Sequence, residues 1–186
     1  SSLLTRPGAP SRQGEVDRVK TALNTRLNVM DLKEGTLDGG DVMRLGNLVF
    51  VGHSSRTNQA GFDCFTRVVE ALGLQTVMVS VARGLHLKSA CSVVDPETIV
   101  MFPGIVDKKQ FEDLGIRVMP VSEVFGANVL PVGDKILVSE AAPKTRDLLS
   151  VSGFETISVD VSELHKADGA LTCLSLRRPQ SGCWCP

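Results

Sequence analysis

A chain of 186 residues with 42% hydrophobic and 22% charged residues is long enough for one domain with a sizeable core. Its formal net charge of −1 offers no cationic face for phosphates, which argues against nucleic acid as a partner. No apolar run approaches the roughly 20 residues that span a bilayer, so no membrane partner is expected.

Short β-branched runs bounded by turn residues predict strands at Leu27–Leu32, Leu48–Gly52, Thr76–Val81, Thr98–Phe102, Arg117–Val121, Lys135–Ser139 and Thr156–Val161. Helices are predicted over Glu15–Thr25 and Gly61–Leu72. There Val16, Val19 and Leu23, and then Phe62, Phe65, Val69 and Leu72, recur at three- and four-residue spacing. Lys108–Leu114 and Lys144–Ser150 are shorter helical candidates, and Gly73 and Gly115 stand where helix C-caps belong.

The order is strand, strand, helix, strand, repeated, which makes the chain α/β. Each unit opens on a small-residue turn entering a strand: Leu37–Val42, Leu85–Ser89, Gly126–Val129 and Ala170–Cys173. Asp38, His86, Asn128 and Cys173 therefore recur about 42 to 48 residues apart, a repeat length found in propeller-like arrays. Units arranged around an axis bring such entry positions together at one end of it. The first unit begins inside its second strand, at Leu3–Thr5, and the last shows only an opening strand, Leu171–Leu176. An N-terminal segment of somewhat less than two units is accordingly expected beyond this chain.

Five cysteines, Cys64, Cys91, Cys173, Cys183 and Cys185, are scattered rather than spaced as a disulfide framework, and Ser1–Pro7 lacks the features of a signal peptide. A reducing, cytoplasmic setting is expected. Cys183 and Cys185 are separated by one residue, not the two of a redox or zinc pair, and read as an idle tail; no metal and no cofactor are expected.

Cys173 follows a turn-prone Asp168-Gly169 pair and occupies a convergent position, as a nucleophile would. A thiolate needs a nearby cation or hydrogen-bond donors, and a guanidinium substrate itself supplies charge. His86 joins it as the proton carrier suited to neutral pH, while His53 and His165 read as solvated. In Leu37-Asp38-Gly39-Gly40-Asp41-Val42 the glycines allow close backbone approach, and Asp38 is placed to orient His86 or accept a guanidinium N–H. Arg12 and Arg56 hold equivalent loops between second strand and helix, where a matched pair would grip a carboxylate.

These segments identify a family. Leu4–Arg12, Leu37–Val42, Arg56–Gln59, Leu85–Ser89 and Asp168–Cys173 run in order through almost the whole chain, and together they resemble dimethylarginine dimethylaminohydrolase, of the pentein or amidinotransferase superfamily. The resemblance implies a pentein-type five-bladed ββαβ propeller with about one blade incomplete or missing at the N-terminus. It implies a catalytic domain over residues 1–176, followed by a tail at 177–186 that matches nothing in the family. It also implies Cys173 as nucleophile, His86 as general acid and base, and Asp38 as the carboxylate of the triad. Arg12 and Arg56 match arginines that hold the substrate's α-carboxylate, and Ala167 matches a backbone contact to the amino acid. The implied reaction is hydrolysis of a methylated arginine to citrulline and an alkylamine, with a homodimer as the candidate assembly. The alternatives are an arginine deiminase-type guanidine hydrolase and an inactive pentein fragment with a binding role.

Overall fold

The computed structural model describes residues 2–24, 29–173 and 175. Three sheets repeat one pattern. In the first, β3 (Val42–Leu45) pairs antiparallel with β4 (Leu48–His53). Helix α2 (Gln59–Glu70) then crosses over to β5 (Gln75–Ser80), which lies parallel to β4. The second sheet holds β6 (Cys91–Asp95), β7 (Thr98–Met101) and β8 (Arg117–Pro120), with α3 (Lys109–Glu112) in the crossover. The third holds β9 (Leu130–Val132), β10 (Lys135–Ser139) and β11 (Glu155–Val159), with α4 (Pro143–Val151). At the start of the chain, β1 (Ser2–Leu4), α1 (Glu15–Asn24) and β2 (Val29–Asp31) form a parallel strand–helix–strand piece, the same arrangement as the last three elements of each unit. A last short helix, α5 (Ser162–His165), precedes the turn that carries Cys173.

Strand alternation explains how the units adhere. Successive strand residues point to opposite faces, so a middle strand buried on both sides belongs to two cores. Val49 and Val51 of β4 pack with Cys64, Phe65 and Val69 of their own helix, whereas Phe50 between them joins the core built around the next unit's Phe111. The Phe50 and Phe111 rings meet at 5.0 Å and 55°, a tilted pair contributing about 0.5–1.5 kcal/mol beyond burial. In β7 the same rule sends Ile99 and Met101 to that core and Val100 to the following one, with Ile136, Val138 and Leu149.

Local chemistry sets the ends of the helices. The Asn58 side chain accepts hydrogen bonds from Gly61 N–H at 2.9 Å and Thr36 N–H at 3.0 Å, capping α2 and fixing the preceding loop. Gly73 and Gly115 adopt φ of +78°, the left-handed conformation anticipated for helix-ending glycines.

Two expectations are corrected. Leu171–Cys173 is a turn, not the start of a strand, because Cys173 N–H closes back onto the Ala170 carbonyl at 3.0 Å. His165 is not simply solvated: its ring stacks on Phe125 at 3.7 Å and 6°. The Cys183–Cys185 tail and the remainder of 176–186 lie outside the described residues.

Candidate active site

Each unit delivers its functional residue from a short turn. Asp38 (φ −92°, ψ 138°) and His86 (φ −146°, ψ 161°) are both extended and both lead into one 3-10 turn, Gly39–Asp41 and Leu87–Ser89 respectively. These turns pack together. His86 Nε2 lies 2.9 Å from Asp38 Oδ2, with the two side chains 14% and 3% exposed. Gly40 makes this possible, because a Cβ there would fall 2.5 Å from His86 Cγ and 2.7 Å from Nδ1. The imidazole occupies the space a side chain would take.

Asp38 is ionised at neutral pH. Burial alone raises its pKa, but hydrogen bonds from His86 and from Gly8 N–H (2.8 Å to Oδ1), with the charges of His86 and Arg12, bring it below the ordinary value. A carboxylate only accepts, so Nε2 carries the proton and donates it to Asp38. The other nitrogen, Nδ1, is the one left to exchange a proton with a ligand.

A second carboxylate, Asp41, holds the first two units in register. It is fully buried and accepts from Ser54 Oγ (2.7 Å), Thr57 Oγ1 (2.7 Å) and Leu87 N–H (2.8 Å). Thr57 Oγ1 in turn accepts from Asp38 N–H at 3.1 Å. Asp41 thus ties the residue after His86 to the backbone of Asp38. Sequence reasoning saw Asp41 only as a turn residue. The nearest signal lay in the Ser54–Gln59 segment, whose hydroxyls turn out to serve it.

Cys173 is a free, exposed thiol. Its Sγ accepts from Ala170 N–H at 3.3 Å, a donor suited to a thiolate. Thr172 beside it is gripped by Asn128, the repeat-equivalent residue of the preceding unit.

Arg12 faces two carboxylates. Its Nη1 is 3.5 Å from Asp38 Oδ2, too long for a strong hydrogen bond and chiefly electrostatic. Nε and Nη2 both reach Glu15 Oε2 at 3.2 Å. The pKa of Arg12 is raised, first by the Glu15 hydrogen bond and also by the negative charges of Glu15 and Asp38. Arg56 is half-buried in the equivalent loop, and Gly8 packs so tightly on its backbone that a Cβ would meet the Arg56 carbonyl at 2.4 Å. Ala167 is exposed, in a turn where its N–H and that of Gly169 both donate to the Leu164 carbonyl, at 3.0 and 2.8 Å, and Asp168 between them takes φ +55°. The turn thus holds a non-glycine residue in the left-handed region three positions after α5. Among the described residues no group of histidine, cysteine and carboxylate side chains is arranged to hold a metal, and no helix is long and apolar enough to cross a membrane.

A carboxylate–imidazole pair and, across the Asn128 bridge, a free thiol are the groups that a nucleophilic cysteine site would need. Residues 14–118 match the family model described as arginine deiminase. The N(G),N(G)-dimethylarginine dimethylaminohydrolase of Streptomyces coelicolor is 39% identical over 180 residues, spanning 95% of this chain and 68% of that protein. Among solved structures, a cysteine-to-serine mutant of the Pseudomonas aeruginosa enzyme complexed with citrulline superposes with a TM-score of 0.88 at 29% identity. It covers 95% of this chain and 70% of that one. A dimethylarginine dimethylaminohydrolase adduct with S-methyl-L-thiocitrulline superposes at 0.86 with 31% identity, over the same shares. The chain belongs to the dimethylarginine dimethylaminohydrolase family, with the α/β fold of small repeated sheets that its structural relatives share.

Proposed function

We propose that the protein hydrolyses Nω-methylated arginine to citrulline and methylamine or dimethylamine, with Cys173 as nucleophile, His86 as general acid and base, and Asp38 as the carboxylate that orients it. The observation that carries this reading is the 2.9 Å Asp38–His86 pair, which commits Nε2 and leaves Nδ1 for proton transfer.

Cys173 thiolate attacks the guanidinium carbon, forming a C–S bond. His86 Nδ1, having taken up the proton released as the thiol ionises, gives it to the alkylated nitrogen, the C–N bond breaks, and the neutral amine departs, leaving a thiouronium on sulfur. His86 next takes a proton from water as the oxygen attacks the same carbon. The C–S bond breaks, the thiolate returns, the remaining hydroxyl proton passes to solvent, and the water oxygen becomes the ureido oxygen of citrulline. One imidazole serves both steps in opposite directions.

Arg12 and Arg56 are assigned to the substrate's α-carboxylate, and Ala167 to a backbone contact with its amino acid end. The Arg12–Glu15 pair is exposed, and exposed pairs contribute only about 0–1 kcal/mol, so Arg12 exchanges Glu15 for a substrate carboxylate at little cost. The three ββαβ units and the strand–helix–strand piece are read as blades of a five-bladed propeller. In this reading residues 1–176 form the catalytic domain and 177–186 a tail, in a cytoplasmic protein with a homodimer as candidate assembly.

The family model's own description favours one second reading, a deiminase that releases ammonia from arginine itself. Incubating the protein with dimethylarginine and with arginine in parallel, and measuring citrulline, separates the two. Citrulline from dimethylarginine in excess of that from arginine supports the first. Equal or greater release from arginine supports the second, and none from either overturns both.

A further inference from the structure

Of the four repeat-equivalent positions, Asp38, His86, Asn128 and Cys173, three carry groups that titrate. The fourth, Asn128, is 6% exposed, and its amide is fully engaged. Oδ1 accepts from Thr172 N–H at 3.1 Å, and Nδ2 donates to Thr172 Oγ1 at 2.9 Å and to the Lys88 carbonyl at 2.8 Å. Thr172 is the neighbour of Cys173, and Lys88 is the second residue of the 3-10 turn that His86 opens. One side chain therefore bridges the turn bearing the thiol and the turn bearing the imidazole.

The chemistry of these contacts singles out an amide. Thr172 N–H requires an acceptor, while the Lys88 carbonyl requires a donor at the other end of the same group. Rotating the amide by half a turn would face oxygen against the Lys88 carbonyl, so the orientation is dictated by its partners. Aspartate supplies no donor, and alanine removes all three bonds.

Among the described residues, the turn bearing Cys173 is tied to another unit by the side-chain hydrogen bonds that Asn128 supplies. It closes on itself through Cys173 N–H to the Ala170 carbonyl and Ala170 N–H to Sγ, bonds that shape the turn without locating it. We infer that Asn128 is a positioning residue that sets the sulfur of Cys173 against the imidazole of His86. The inference rests on the catalytic reading given above, because it assigns the spacing of those two groups a purpose.

The test is a double-mutant cycle on alkylation of Cys173 by iodoacetamide, followed by the mass of the peptide containing it, at pH 6 to 9. Asn128→Ala and His86→Ala are compared singly and together, with melting by circular dichroism for each. If Asn128 acts by setting Cys173 against His86, Asn128→Ala slows alkylation about tenfold when His86 is present and changes it less than about twofold when His86 is absent. In turnover of dimethylarginine the same variant loses kcat, by about 10- to 100-fold, the scale of a misplacement near 1 Å, with little change in KM. Thr172→Val removes one of the two Thr172 bonds, and is expected to produce the same pattern at smaller size should Asn128→Ala fail to melt cooperatively. Equal effects of Asn128→Ala, or of Thr172→Val in its place, with and without His86 overturn the inference, as does no effect in a folded variant. Absence of citrulline from the wild-type protein instead overturns the catalytic reading, while the alkylation cycle still reports on the spacing.

Discussion

The two halves of the site are built to different standards. On one side a buried Asp38 is joined at 2.9 Å to a part-buried His86, and the buried Asp41 bonds three partners. On the other, Cys173 sits exposed on a turn whose neighbour is held by one amide. In the proposed mechanism the proton-handling half needs a fixed tautomer and a dry carboxylate, which burial supplies. In the same mechanism the sulfur would meet an incoming carbon and then release it, which an exposed position allows.

This contrast is exposed first by removing each side's reactive group. Cys173→Ser is expected to abolish citrulline release, by roughly 10³-fold or more, while leaving the melting temperature within a degree or two, because the exposed turn carries little stability. On the buried side Asp41→Ala strands a backbone N–H and two hydroxyls. It is expected to lower stability by about 3–5 kcal/mol, measured by urea unfolding. A Cys173→Ser variant that melted as badly as Asp41→Ala would erase the distinction.

Gly40→Ala sharpens it further. The added methyl would contest the space of the His86 ring, so about 1–3 kcal/mol of stability and at least about tenfold in turnover are expected to be lost. A retained rate would mean that the imidazole has room that the structure denies it.

Two smaller effects follow from acid–base chemistry. Asp38 has a depressed pKa in the fold, so the stability it contributes is complete above its unfolded value near pH 4 and is lost as pH falls through the folded value. The melting temperatures of wild type and Asp38→Asn are therefore expected to converge as the pH is lowered. Cys91 is buried, and burial pushes its thiol up to about 12, whereas Cys173 is exposed. Native-state alkylation at pH 8 is expected to label Cys173 and spare Cys91.

Much of the fold was legible in the sequence because it rests on local chemistry. The period of the apolar residues in Gly61–Leu72 and the glycines that end helices marked α2 and its stop, and the β-branched runs marked the middle strands. Asp38 and His86 were found through their place in a repeat, and they do meet. The turn at Leu171–Cys173 was misread as strand, because Leu-Thr-Cys favours extension and only the bond back to the Ala170 carbonyl decides otherwise. The role of Asp41 and the Phe125–His165 stack were out of reach for a different reason. Each depends on partners 13 or more residues away, and no local pattern names such a partner.

The middle strands β4 and β7, each shared between two cores, carry a consequence for how the molecule breathes. A blade that peeled away alone would strip one face from the core of its neighbour, so loosening spreads sideways instead of remaining in one unit. Amide protons of β4 and β7 should then exchange with solvent together, through one common opening event, while those of the exposed α5 turn exchange long before. The turn of Cys173, tied through Asn128 to the turn that His86 opens, would then keep its place until that frame opens as a whole.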